Sequence, residues 1–533
     1  MPGLRVSPPA AAESSWRAAA APWQGAKALS RRERTFRAAL LAYVQTALAL
    51  AAGFWVTRLL VHRLGEEAYA LYVATTSLAG WASLADVGLL AILPWLISES
   101  SAEDGKLARL LGATSRAMAV CTALYAAAAF GLWAYGPGLL DFTAERADAA
   151  RAALALTLGV GAVAFPLRFP GAVLAGLQDV SFVGAVAIVQ VLGTSALTAA
   201  LLLGGYGLQG ALWGAALPPV LVGMASAFRA VQLLRARNVG PAAPTREETR
   251  QLLRSSGSAF LSTAGWQVTT SAPALALSRA GRLDDVAHLA VTSRLPLLLM
   301  QQAWTVPDAA LVGLAQLKGE GLRSRARSVV AALLQFQAVV GVGVTAFVLA
   351  LNPAFVRAWV GEGRYAGDGV NAALGLYVAL QCAVHALVTP ASVMGNRVLI
   401  GVATFLGGAL ALGSALPLAQ LGPAAVLVGG AAGALLSTVP AGALALRAAL
   451  RDADAAPGGT RHWLQRAMPR LVAILGLAWP VQAALARAPG LFPLLAAGTL
   501  CAVAFAWLTR PLWEGLPLTE RQRAVLRRVK LVT

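Results

Sequence analysis

Charge is scarce in this sequence: Asp, Glu, Lys and Arg make up 13% of its 533 residues, about half the share typical of a soluble domain. That scarcity excludes a chain surrounded by water over most of its surface. Cysteine is scarcer still. Cys121, Cys382 and Cys501 each stand alone in an apolar run, and no CxxC or Cys/His cluster exists. Neither a disulfide framework nor a zinc site is supported, and no metal or cofactor is expected. Catalytic signatures are missing as well. Gly105-Lys106 lacks the following Ser/Thr and the glycine spacing of a phosphate-binding loop, which excludes an ATPase motor of that kind. No HExxH or GxSxG occurs, and the chain is not expected to be an enzyme.

Apolar residues fill the place of charge. Hydrophobic residues reach 58% and mean hydropathy is +0.66. Runs of about 20 or more apolar residues, enough to cross a bilayer, return along almost the whole length. The fold class is therefore all-α, a polytopic membrane protein of about fourteen transmembrane helices. The expected spans are 38–62, 68–97, 107–136, 149–176, 180–204, 207–234, 253–279, 284–316, 326–351, 369–394, 397–419, 422–449, 467–487 and 490–511.

Net charge is +19. In a soluble chain that would suggest nucleic acid; here it sets orientation instead, and no nucleic-acid partner is expected. With both termini cytoplasmic, the inner loops and tails hold roughly 31 of the 43 Lys and Arg, the bias that retains a loop in the cytoplasm. The outer loops are short and partly acidic, at Glu66-Glu67, Asp141, Glu145 and Asp284-Asp285. The Pro/Ala/Ser-rich arm before the first span is too long and polar for a cleaved leader, so no signal peptide is expected. The expected location is the inner (cytoplasmic) membrane, with membrane lipids as the surroundings.

The stretch Ala38–Ser100 organises the rest. It reads as two long helices joined by a tight turn, Leu64-Gly65-Glu66-Glu67-Ala68-Tyr69, with Asp86 deep in the second. The pair returns about 218 residues later. Glu66-Glu67-Ala68-Tyr69-Ala70-Leu71-Tyr72-Val73 is echoed by Asp284-Asp285-Val286-Ala287-His288-Leu289-Ala290-Val291. Gly207-Leu208-Gln209-Gly210 with Gly214 is echoed by Gly422-Pro423-Ala424-Ala425 with Gly429, at an offset of about 215. Six helices per unit is an even number, so the units insert the same way up and form a parallel repeat.

The resulting division is a disordered basic cytoplasmic arm over 1–35 and an N-terminal six-helix lobe over 36–235. A cytoplasmic linker follows over 236–252, then a C-terminal six-helix lobe over 253–450. A cytoplasmic loop over 451–466, two extra helices over 467–512 and a basic cytoplasmic tail over 513–533 complete the chain. Prolines mark candidate interruptions. Pro94 is expected to end the second helix, Pro166 and Pro170 flank Arg168 in the fourth, and Pro296 and Pro307 are expected to break the eighth. The longest outer loop is expected at Asn352–Val370.

A charge within a membrane helix is costly against lipid and so reports on function or pairing. Arg58, Arg116, Arg168 and Arg294 are the candidate cations for an anionic substrate. Asp86, Asp308 and His385 are candidates for ion or proton coupling, and Asp308 and His385 fall at similar depth. Gln45, Gln267 and Gln301, with Gln302 beside the last, offer both donor and acceptor to sugar hydroxyls. Each has a plainer reading. Arg58 suits snorkelling to the outer interface, Asp86 and Arg116 suit a structural ion pair, and buried Gln or His residues often bridge helices.

Several motifs in order resemble one family. Leu64-Gly65 with Tyr69-Ala70-Leu71-Tyr72, then Leu84-Ala85-Asp86-Val87-Gly88-Leu89, resembles the bacterial oligosaccharide (O-antigen, Wzx-type) flippases. These belong to the MATE-like (MOP) superfamily, with the multidrug-and-toxin-extrusion transporters and the lipid II flippase. Ala175-Gly176-Leu177-Gln178-Asp179, Gly207-Leu208-Gln209-Gly210, the stretch Gly281–Leu295 and Trp359-Val360-Gly361 continue the likeness over about residues 36–450. His288-Leu289 stands where the family usually has an aromatic. The resemblance implies a V-shaped pair of six-helix lobes working by alternating access. It implies a polyprenyl pyrophosphate-linked oligosaccharide as substrate, moved from inner to outer leaflet for surface polysaccharide (lipopolysaccharide, O-antigen) biosynthesis. A polysaccharide polymerase and glycosyltransferases would be its partners.

Three other readings compete, one of them a non-transporting scaffold in an envelope-polysaccharide complex, hinted at only by the N-terminal arm and the basic tail. A cation-coupled drug exporter of the same superfamily should show carboxylates dominating its cavity, whereas here Arg outnumbers carboxylate within the helices. A membrane glycosyltransferase or polymerase could use Asp452-Ala453-Asp454, a three-residue pattern that a solvated turn also explains.

Overall fold

The computed structural model describes residues 31–101, 103–139, 144–451, 459–488 and 490–514. Most of the N-terminal arm, Asp141, the Asp452-Ala453-Asp454 pattern and the basic tail from 515 onward lie outside the described residues, as does the Glu145 side chain. Among the described residues no strand occurs. Apolar helices dominate because a backbone in hydrocarbon must satisfy its own N–H and C=O groups.

The first helix, α1 (Arg31–Ala82), turns back on itself at Gly65, whose φ of 76° is left-handed and open to glycine at little cost. Its second limb ends in a 3-10 turn (Ser83–Asp86), and α2 (Leu89–Ser100) completes the crossing. Then come α3 (Asp104–Leu139), α4 (Ala144–Gly176), α5 (Val180–Leu203) and α6 (Gly207–Ala236). The second half runs α7 (Arg246–Arg279), α8 (Leu283–Thr292), α9 (Arg294–Gly319), α10 (Arg323–Val360), α11 (Asp368–Met394) and α12 (Arg397–Leu418), then α13 (Pro423–Leu436) and α14 (Thr438–Ala449). It closes with α15 (Gly459–Arg487) and α16 (Leu491–Glu514).

Among the described residues, 11 helical stretches are long and apolar enough to cross a membrane. One of them, Val44–Asp86, contains both limbs of α1. The helices α7 and α8–α9 are not among the eleven, although both were expected as apolar spans. Their polarity has a simple origin: α7 carries Ser255, Ser256, Ser258, Ser262, Thr263, Gln267, Thr269, Thr270 and Ser271 along its middle. Counting both limbs of α1 and adding these two elements gives the expected architecture of about fourteen crossings.

Helices α1 to α6 pack among themselves, with α6 against α4 and α5, and α1 against α5. The second set centres on α12 against α7 and α13, and on α11 against α9, α10 and α13. Where α7 meets α12 the backbones nearly touch. A Cβ on Gly265 would stand 2.3 Å from the Thr404 carbonyl oxygen, and one on Gly408 2.4 Å from that of Gly265. Small residues at such crossings replace the hydrophobic drive that lipid cannot supply. The two extra helices dock on α10 through a cluster of Val339, Ala346, Leu351, Ala467, Leu471 and Ile474.

Helix interruptions differ from those expected of the prolines. Pro94 lies within α2, and Pro166 and Pro170 lie within an unbroken α4. The break in the eighth crossing precedes Pro296, at Ser293, so that Pro296 occupies the first turn of α9, where its missing N–H has no helical partner to lose. Pro307 sits inside α9. The second crossing breaks where it carries no proline, at the left-handed pair Val87 (φ 47°) and Gly88 (φ 74°). The long loop expected over Asn352–Val370 is mostly helix. Asn352 is fully buried in α10 and donates to the Thr292 carbonyl at 3.0 Å and to Asn371 Oδ1 at 2.9 Å.

The linker is docked along α3. Ala242 N–H donates to the Ala108 carbonyl at 2.8 Å, and Thr245 and Glu248 form a capping box that starts α7. Arg109 Nε lies 2.8 Å from Glu248 Oε1. That hydrogen bond, with those from Thr245, holds the Glu248 carboxyl down at about 2. A depressed carboxylate stabilises a contact above the ordinary carboxylate range and releases it only as pH falls through the lowered value. The Arg109–Glu248 clasp should therefore be constant from pH 5 to 8. Glu248→Ala should lower the melting temperature slightly and equally across that range; a pH-dependent difference between variant and parent would contradict this.

Candidate functional site

Two seams join the halves, and they are built differently. Along one, the second limb of α1 and α2 lie on α7 for its length. Trp81 Nε1 donates to Ser271 Oγ at 2.7 Å, and the Gln267 amide stands 2.7 Å from where a Gly80 Cβ would be. Gly88 lies against the backbone of Ser256 and Phe260. This seam is filled.

The other seam is closed only at the end that bears Gly65. There Trp359 Nε1 donates to the Phe54 carbonyl at 3.0 Å, and Phe54 packs edge-on against Phe355 and Trp359 at 5.2 and 5.1 Å. Glu66 lies 3.8 Å from Arg364 and 3.7 Å from His288, while Arg364 approaches His62 Nδ1 at 2.9 Å. Beneath, one apolar cluster takes Leu60, Val61, Tyr69 and Ala70 from α1 and Val286, Val356, Val360 and Leu374 from the second half. Further along, the first limb of α1 packs on α5 and makes no extensive contact with α9. Val44, Ala47, Ala49 and Ala51 are exposed there.

Arg294 marks the point where closure stops. The break at Ser293 places it first in α9, exposed, with its guanidinium 2.9 Å from the position a Cβ on Gly53 would occupy. Among the described residues it makes no ion pair or hydrogen bond. Positions seven apart on a helix differ by only about 20° in direction. Arg294, Gln301 and Asp308 therefore share one face, with Thr305 beside them, and all four are exposed. The stripe runs about 21 Å at ~1.5 Å per residue, and its Arg294 end meets α1 at Gly53.

The far end of the stripe is a pair. His385 Nε2 lies 2.8 Å from Asp308 Oδ1, with side-chain exposures of 20% and 53%. The Trp304 ring stacks on the imidazole at 4.4 Å with planes 6° apart, and Trp266 of α7 meets Trp304 edge-on at 5.2 Å.

The structure thus brings Arg294 to one seam, with Gln301 and Asp308 further along the same helix face and His385 paired to Asp308, and brings Gln267 to the other. Gln45 is half-buried on the first limb of α1, two turns before Gly53. The remaining candidates sit elsewhere. Arg168 is exposed on α4, 5.9 Å from the centre of the buried Phe165 ring. Arg116 is exposed on α3, and Arg58 is exposed on α1 one turn before His62. Asp86 is buried and accepts from the Gly88 N–H at 3.0 Å, closing its own turn; no ion pair joins it to Arg116.

This arrangement of helices is shared with solved structures. Lipid II flippase MurJ in an inward closed conformation matches with a TM-score of 0.63 at 12% identity, over 90% of this chain and 99% of that one. An inward-facing multidrug resistance MATE family transporter of the MOP superfamily matches with a TM-score of 0.55 at 16% identity, over 77% and 96%. The chain has the MATE-like fold. A MOP superfamily transporter from Pyrococcus furiosus, described as having a binding pocket of reverse polarity, matches with a TM-score of 0.54 at 16% identity, over 77% and 96%. No protein-family model and no curated protein matches the sequence.

Within this MATE-like fold, sequence reasoning missed the closure at the Gly65 end, because Trp359 and Phe54 lie 305 residues apart. The Trp304–His385 stack left a fainter signal: Trp304 and Asp308 are four residues apart, one turn on the same face. If the Glu66 cluster helps hold that end shut, Glu66→Gln should speed labelling of a Val61→Cys reporter by a membrane-impermeant maleimide several-fold. An unchanged rate would show that the apolar cluster closes it alone.

Proposed function

We propose that the chain is a flippase that moves a polyprenyl pyrophosphate-linked oligosaccharide between membrane leaflets by alternating access of its two halves. One observation carries the reading: an exposed guanidinium, Arg294, with no ion-pair or hydrogen-bond partner among the described residues, stands where a closed seam becomes an open one. A diphosphate is the chemistry such a group takes, through charge-assisted and bidentate hydrogen bonds. Gln301, Gln302 and Thr305 follow it along α9 and suit sugar hydroxyls. The gap beside α1 would leave the lipid tail in hydrocarbon while the head group enters, so only the polar part has to cross. Arg168, Arg116 and Arg58 are further cations for the same anion. The MurJ and MATE folds support rocking of one half on the other. In the cell, movement from inner to outer leaflet of the cytoplasmic membrane would serve surface-polysaccharide assembly beside a polymerase and glycosyltransferases.

The test is translocation in proteoliposomes containing the purified full-length chain. A fluorescent polyprenyl diphosphate oligosaccharide should cross and become accessible to a quencher, while a cationic dye should not be carried. Transport of the dye in place of the lipid would overturn the reading in favour of a drug exporter, and sugar transfer by the purified protein would overturn it in favour of a transferase.

A further inference from the structure

We propose that Trp266 and Trp304 form the floor of a saccharide site that takes a neutral sugar of the cargo while its diphosphate stays at Arg294. This rests on the flippase reading above and adds to it where the sugar sits and which sugars are admitted.

Two helices carry one pattern. On α7, Trp266, Gln267 and Thr270 follow Thr263 at offsets of three, four and seven; on α9, Trp304, Thr305 and Asp308 follow Gln301 at the same offsets. Such offsets put each set on one helix face. The faces meet at the indoles, Trp266 edge-on to Trp304 at 5.2 Å, while the two helices make no extensive backbone contact. Thr263, Thr270, Gln301, Thr305 and Asp308 are exposed. All lie well inside the spans 253–279 and 284–316, at depths where a polar group against lipid is costly. A water-holding space between the two faces satisfies them.

Both indoles are fixed in place and only partly buried. They rest on a buried cluster of Met300, Ala303, Tyr377, Val378 and Cys382. The His385 imidazole lies flat on Trp304 at 4.4 Å with planes 6° apart, and Asp308 holds that imidazole at 2.8 Å. Rings already held still lose little freedom when a ligand arrives. Indole surface suits the C–H face of a pyranose, and a few polar groups around it meet the hydroxyls. The Thr263 and Thr270 hydroxyls donate back to the Ala259 and Trp266 carbonyls, each at 3.0 Å, which leaves their lone pairs to accept. Gln301 supplies donor and acceptor together.

The charges near the indoles select the sugar. No Lys or Arg lies on α7 between Arg254 and Arg279, on α9 between Arg294 and Lys318, on α10 between Arg327 and Arg357, or on α11 between Asp368 and Arg397. An anion finds its cation only at Arg294, ten residues and about 15 Å along α9 at ~1.5 Å per residue. The Asp308 side chain is 53% exposed. Its carboxylate accepts from sugar hydroxyls and repels the carboxylate of an acidic sugar, an element that acts against the wrong ligand. The site therefore admits neutral hexoses and rejects uronic acids. An apolar organic cation could also use rings beside a carboxylate, but it would leave the Thr263, Thr270 and Gln301 groups without partners.

The test is binding of three lipids to the purified full-length chain: polyprenyl diphosphate alone, the same lipid carrying glucose, and the same lipid carrying glucuronic acid. The parent should bind the glucose lipid about five- to ten-fold more tightly than the bare one, the scale of one or two neutral hydrogen bonds, with no such gain for the glucuronate. Trp304→Leu and Thr270→Val should each erase most of that gain and leave affinity for the bare lipid unchanged. Thr270→Val alters an exposed side chain without changing its shape, so folding is not at issue there. His385→Ala should lose the gain, whereas His385→Phe, which keeps a flat ring on the indole, should retain it. Equal affinity of the parent for glucose and bare lipids, an equal gain for the glucuronate, or a gain that survives both Trp304→Leu and Thr270→Val would overturn the proposal. Tetraphenylphosphonium held by the parent and released by Trp304→Leu would overturn it in favour of a cation cage. A parent that holds the diphosphate but shows no glucose gain loses only this site, whereas a parent indifferent to the diphosphate loses the flippase reading.

Discussion

Arg294→Gln should reduce translocation of a polyprenyl diphosphate oligosaccharide by about ten- to a hundred-fold, the worth of one or two charged hydrogen bonds, while protein yield stays the same. The expectation of unchanged yield follows from the geometry. Arg294 is exposed and makes no ion pair or hydrogen bond among the described residues, so its removal orphans no partner inside the fold. Arg294→Lys should recover part of the activity, since an ammonium keeps the charge and loses the fork. Gly53→Leu should act on the same spot from the other side, because a side chain there meets the guanidinium at 2.9 Å from its first carbon. The measurement is initial translocation rate in proteoliposomes at matched protein density. Equal rates for Arg294→Gln and the parent would remove this residue from cargo binding.

Gly265→Leu should lower stability sharply. Its new Cβ would fall 2.3 to 2.6 Å from Thr404 O, Thr404 C and Phe405 N, all backbone atoms that no rotamer change can move aside. Overpacking costs typically about 1–3 kcal/mol, occasionally more, and a rigid neighbour puts this site at the upper end. Against a total stability of about 5–15 kcal/mol that is a large share. The expected result is a marked fall in melting temperature in detergent, read from the loss of monodisperse protein on heating. Gly159→Leu is the control, since nothing lies within 4 Å of a Cβ there. Equal melting of both variants would show that α7 and α12 are not held by close backbone contact.

Fold class was legible because hydrocarbon imposes a strong signal: low charge, long apolar runs and a Lys/Arg bias need no tertiary context. The Asp308–His385 pair was legible in part, through equal depth on two helices. Its stacking on Trp304 was not, because the ring plane is set by neighbours from α7. The stripe Arg294, Gln301, Asp308 was written in the sequence at sevenfold spacing, yet where its Arg294 end met α1 depended on Gly53, more than 200 positions earlier. Proline proved a poor guide to the breaks. Pro296 starts a helix and Pro307 is accommodated inside one, whereas the turn at Asp86-Val87-Gly88 is made by a carboxylate accepting from the backbone N–H two residues on. Asn352 and Pro353 read as loop residues, but a buried amide network keeps α10 helical through them to Val360.

Binding of two lipids that differ only in the diphosphate tests the central claim most directly. Purified parent and Arg294→Gln protein are titrated with a polyprenyl diphosphate oligosaccharide and with the same oligosaccharide on a neutral polyprenol. The account predicts that the parent prefers the diphosphate at least about ten-fold, the equivalent of ~1.4 kcal/mol, and that the variant does not. Equal affinity of the parent for both lipids, or a preference that survives in the variant, would contradict it.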